Sequence, residues 1–209
     1  MIDPHAIARD IDALDASQQR LVTDLRSMTA VDPSTPTQLP AWTVGHVLTH
    51  IARNADSTLR MLAGLPQYWK GVESRVADIE LGAGRHWDEL VDDVAATNAA
   101  VSRRVREVAD WSGTVQSTTA VRPKATVPEM RRREVEIHHA DLGLGYGFAD
   151  LPADFVGYES RRLTMLWQAR QPMGLTALPD AVLRLPEHER LAWLCGRLVV
   201  EGVQPAGVL

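Results

Sequence analysis

The sequence predicts a mainly α-helical protein, a four-helix bundle followed by a small C-terminal α/β appendage. Three observations carry that expectation. Four long stretches repeat apolar residues at helical steps, proline- and glycine-rich segments separate them, and metal-competent side chains stand one turn apart on two of them. At 209 residues the chain can bury a sizeable core, with a bundle over 1–147 and a smaller unit over 148–209.

The first helix is expected over about 5–29, where Ile7, Ile11, Leu14, Leu21, Leu25 and Met28 share a face. Pro33, Pro36 and Pro40 then remove backbone donors and disfavour helix, so a surface loop follows. Thr43 is suited to cap a second helix that runs through Val47, Leu48, Ile51, Leu59 and Leu62 to Gly64, with His50 inside it. Residues 66–85 are mixed in character and read as a loop with a few helical turns. A third helix over about 86–108 carries Leu90, Val94, Val101, Val105 and Val108 on one side. Residues 111–130 mix β-branched residues with turn formers, which suits a short hairpin or a loop. Thr126, Pro128 and Glu129 form a capping-box signature for a fourth helix, which carries Glu134 and His138 and ends near Gly143 or Gly145. Beyond Gly147 come a helix at about 152–170, an extended LTALPDAVLRLP segment and a last helix near 187–200, together the α/β appendage.

Charge and cysteine content narrow the function. Lys and Arg number 22 against 27 Asp and Glu, a formal charge of -5, which argues against a phosphate-binding nucleic-acid surface. The one local basic run, Arg131 to Arg133, reads as a solvated helix face. Cys195 is the sole cysteine, so no intrachain disulfide can form, and its apolar context suits a buried structural thiol rather than a nucleophile. Any thiol that the chemistry needs arrives from outside. No run of about 18 apolar residues is present, and MIDPHAIARDIDALD is acidic where a signal peptide would be positive and then apolar. The expectation is a soluble cytoplasmic protein that engages neither membrane nor nucleic acid.

Glu134 and His138 stand four residues apart, on one face of a helix. Such a pair alone is often a surface hydrogen bond, and a lone histidine on an apolar helix is often a satisfied core residue. With His50 from a neighbouring helix, the three make an open two-His-one-Glu set, which leaves room on a metal for water or substrate. Zinc, iron(II), nickel and manganese all suit those donors. His46, four residues before His50, is a competing partner. His139 and Glu136 point elsewhere round the helix, and Asp141 shares a face with His138, where it can accept an imidazole proton.

WTVGHVLTHIARNAD and RRREVEIHHADLG, in this order and at this separation, resemble the mycothiol-dependent maleylpyruvate isomerases of the DinB-like superfamily over most of residues 1–147. The resemblance implies a DinB-like four-helix bundle that holds a divalent metal, first zinc, through His50, Glu134 and His138, with mycothiol as thiol cofactor. Arg75, followed by Asp78, Ile79 and Glu80, and Arg197, in WLCGR, match the family's two arginines, which implies that they serve catalysis by binding substrate. The C-terminal unit looks shorter than the family's. The implied reaction is addition of a low-molecular-weight thiol to the cis double bond of maleylpyruvate, rotation, and elimination to fumarylpyruvate, a step of aromatic catabolism. The same fold and metal also suit a thiol S-transferase acting on another electrophile, and a non-catalytic metal-binding bundle is the rival from outside enzymology.

Overall fold

Asp3 accepts the His5 backbone N–H at 2.9 Å and Pro4 presets the first turn, so α1 spans Pro4–Ser27 and buries Ile7, Ile11, Leu14, Leu21 and Leu25. The structure, a computed structural model, describes residues 3–29, 31–69, 71–171 and 176–208. In the proline-rich loop, Asp32 accepts from the Ser34 N–H and Pro36 bridges Thr43. The Gln38 N–H donates to the Asp141 carbonyl at 3.2 Å, which ties this loop to the fourth bundle helix. Helix α2 (Val44–Leu62) starts at Thr43, as expected, and stops where Gly64 takes a φ of 73°.

A twelve-residue helix, α3 (Val72–Ala83), gathers the few helical turns expected in the mixed segment into one continuous element. Its apolar periodicity is weak because it buries only Ile79 and Ala83. Glycines let it approach α2 instead. A Cβ on Gly45 would stand 2.0 Å from the Ala83 carbonyl oxygen, and one on Gly82 would stand 2.5 Å from a Thr49 methyl. Contacts progress from Gly45–Ala83 through His46–Glu80 to His50–Arg75, so α3 runs antiparallel along α2.

Helix α4 (Trp87–Glu107) buries Leu90, Val94, Val101 and Val105. A hairpin follows, β1 (Thr114–Gln116) against β2 (Val121–Pro123), with Val115 opposite Arg122. Helix α5 (Val127–Asp141) follows a 3₁₀ turn over Lys124–Thr126. That turn displaces the expected capping box: Thr126 has helical dihedrals and its hydroxyl donates back to the Pro123 carbonyl. Helices α1 and α2 each pack on both α4 and α5, which closes a four-helix bundle with α3 outside on α2.

The chain divides into two compact units, Met1–Leu142 and Gly143–Leu209. The second packs α6 (Ala153–Ala169) against α8 (Glu187–Leu194), with Trp167 and Trp193 centroids 6.3 Å apart, and adds the short α7 (Asp180–Leu183). The α/β character expected there is corrected: among the described residues this unit has no strand, since Pro179 starts a helical turn inside the supposedly extended segment. The last helix ends at Leu194, because Gly196 takes a φ of 75°. Among the described residues no helix is long and apolar enough to cross a membrane.

Candidate metal centre

Helices α2 and α5 face each other, and one turn of each supplies the site. His50 is buried and directs Nε2 at Glu134 Oε2, 2.9 Å away, while His138 Nε2 lies 3.6 Å from the same oxygen. One donor atom from each residue falls within 4.8 Å of the other two. Ligands held about 2.1 Å from one ion in a tetrahedral set stand roughly 3.4 Å apart, so the side chains need only small shifts to share a cation. The imidazoles meet edge to face with centroids 4.6 Å apart. Glu134 keeps 33% of its side chain exposed, so the cluster is open on the carboxylate side.

Burial drives the His50 imidazole down to about 4, against the pull of its Glu134 hydrogen bond. His138 moves the other way: burial opposes, yet hydrogen bonds to Asp141 and Glu134 raise its pKa. Burial also resists ionisation of Glu134, but hydrogen bonds with His138 and His50 prevail and hold it well below the usual carboxylate range. Glu134 is therefore an anion and His50 neutral near pH 7. Asp141, fully buried, accepts from His138 Nδ1 at 2.9 Å, which leaves Nε2 to face the cluster.

Arg75, on α3, places a guanidinium nitrogen 3.0 Å from His50 Nδ1. An arginine can only donate, so Nδ1 is the acceptor and Nε2 carries the hydrogen directed at Glu134. A cation on Nε2 requires that hydrogen on Nδ1. The Arg75 bond and cation binding through Nε2 therefore exclude each other, and a cation held there would free Arg75. With that one adjustment the donor set fits a divalent cation: two imidazoles, a carboxylate, a buried acceptor behind one imidazole and an open side.

The competing residues have other work. His46 Nδ1 accepts from the Thr43 N–H at 3.2 Å and so caps α2, with Nε2 3.4 Å from Glu80. His139 faces Asp24, and Glu136 binds Ser17 and Arg20 on α1. Cys195 is buried, as its apolar context suggests. Arg197 belongs to the second unit, where its guanidinium donates to the Cys195 carbonyl at 2.5 Å.

Three neighbours of the cluster were not singled out from sequence. Trp42 stacks 6.4 Å from His138 and stands edge-on 5.4 Å from His50; its place at the head of WTVGH was the available signal. Tyr68, on the loop before α3, hydrogen-bonds Arg75 and Ser57, and burial raises its pKa. Arg131 overturns the reading of Arg131 to Arg133 as a solvated face, because it is 1% exposed in the bundle core. A basic run gives no sign of which member turns inward.

Fold and cluster together define a helical-bundle protein with a His-Glu-His set of metal-ligating type. The chain belongs to the mycothiol maleylpyruvate isomerase N-terminal domain family, whose sequence model matches residues 14–143. The crystal structure of the mycothiol-dependent maleylpyruvate isomerase superposes with a TM-score of 0.82 at 21% identity, covering 94% of this chain and 92% of that one. A histidine-to-alanine mutant of that isomerase gives 0.81 at 20% identity with the same coverage. These likenesses establish the shared fold. No curated protein matches the sequence.

Proposed function

We propose that the chain is a metal- and thiol-dependent isomerase that converts maleylpyruvate to fumarylpyruvate, with mycothiol as the thiol and zinc as the first choice of metal. The observation that carries this reading is the convergence of His50, Glu134 and His138 in the family-defining domain, with Arg75 against them. A divalent cation there would favour the deprotonated, nucleophilic form of a thiol.

The chain's own residues then have distinct tasks. Asp141 orients His138, and Trp42 walls the site beside both imidazoles. Arg75, released from His50, offers a planar fork to a substrate carboxylate. Arg197 is assigned the second carboxylate by the resemblance. The thiolate sulfur bonds to one carbon of the cis double bond and the π pair moves into the conjugated carbonyl. Rotation about the new single bond follows, and the pair returns to re-form the double bond as trans while expelling the thiolate. Nothing is oxidised and the thiol is regenerated, which suits a reducing cytoplasm.

Purified protein loaded with zinc tests this. Maleylpyruvate should disappear and fumarylpyruvate appear only with added mycothiol. Accumulation of a thiol conjugate of a different electrophile, without isomerisation, would assign the chain to the S-transferases; neither activity, with cation retained, would leave a binding bundle.

A further inference from the structure

Arg131 lies at the centre of the bundle, and its environment is unusual for a cation. Its guanidinium donates to the Ile51 carbonyl at 2.9 Å and to the side-chain oxygens of Asn54 and Asn98, each at 2.7 Å. All three acceptors are neutral; among the described residues no carboxylate forms a contact ion pair with it, and the Glu134 and Asp56 carboxylates favour its charge only from a distance. Burial draws its pKa down to about 10, which leaves it charged at neutral pH. Burying a cation with no carboxylate in direct contact costs more than filling the same volume with Leu or Met. Packing alone therefore gives a poor reason for an arginine here.

Its position supplies a better one. Ile51 follows His50 on α2, and Arg131 precedes Glu134 by three residues, on the same side of α5. The guanidinium thus joins the α2 turn that carries one donor to the α5 turn that carries another. Asn98 anchors the fork to α4, and Gln18 extends the anchor by donating to the Asn98 carbonyl and to Ser102. We propose that Arg131 is a positioning residue for the metal centre, which holds the His50 and Glu134 donor atoms at the separation that a single cation requires. The inference rests on the reading that His50, Glu134 and His138 bind a cation.

Cobalt(II) titration of the metal-free 209-residue chain, followed by visible absorption well below the melting temperature, tests it without any assay of turnover. Arg131→Met should lose about tenfold or more in cobalt affinity, as when groups supporting a metal ligand are removed, and should show an altered ligand-field spectrum. Arg131→Lys, which keeps the charge and one donor, should recover part of both. Asn98→Ala removes only the α4 anchor and should shift affinity in the same direction; it carries the test if Arg131→Met does not fold. A structural brace alone would lower the melting temperature and leave cobalt affinity and spectrum unchanged in the folded variants, and that result overturns the proposal. Failure of the wild type to bind cobalt would instead sink the cation reading and this inference with it.

Discussion

Because Arg75 has only donors to offer, its 3.0 Å contact with His50 Nδ1 sets the imidazole tautomer, and under the proposed function it would link substrate binding to metal loading. Removing it should therefore help the cation. Arg75→Met is expected to raise zinc affinity by about tenfold, equivalent to about 1.4 kcal/mol, in calorimetric titration, while lowering affinity for a dicarboxylate. Asp141→Ala should act oppositely and weaken cation binding by about tenfold or more, because His138 loses the acceptor that orients it. Protons compete at the same site. His138 has a raised pKa, so it stays protonated up to a higher pH than an ordinary imidazole, and apparent zinc affinity should fall as pH drops through that range; His50, at about 4, adds its own loss only below it. Glu134 and His138 were legible in sequence because one-turn spacing puts side chains on one face, and His50 because it is a metal-competent residue within the apolar α2 stretch. Arg131 was not, since its burial depends on acceptors supplied by α2 and α4, far away in sequence.

Among the elements, the contrast between α2 and α3 explains what periodicity can find. Helix α2 buries a broad stripe, from Val44 through Leu62, and its boundaries were readable from Thr43 and Gly64. Helix α3 docks through close backbone approach, and a glycine contact leaves no apolar repeat to read. The consequence can be measured. Gly45→Ala would put a methyl against the Ala83 carbonyl, so α3 must shift, with a loss of about 1–3 kcal/mol in chemical denaturation typical of overpacking. The same shift should loosen the Arg75 contact with His50. The expected capping box at Thr126 failed for a related reason, since the preceding 3₁₀ turn had already committed that hydroxyl to Pro123.

For the molecule as a whole, the helical bundle follows from four amphipathic segments whose pairing closes α1, α2, α4 and α5 into one core. The second unit was harder to read, because a proline-rich segment is compatible with both an extended chain and the start of a helical turn, and Pro179 begins α7. The chain belongs to the mycothiol maleylpyruvate isomerase N-terminal domain family and shares the isomerase's fold, and the proposed chemistry depends on the α2–α5 cluster holding a cation. Elemental analysis of purified wild type and His50→Ala, with circular dichroism to verify folding, tests that most directly. The metal-centre reading predicts a stoichiometric divalent cation in the wild type and almost none in a folded His50→Ala protein. Full metal content in that variant would contradict it.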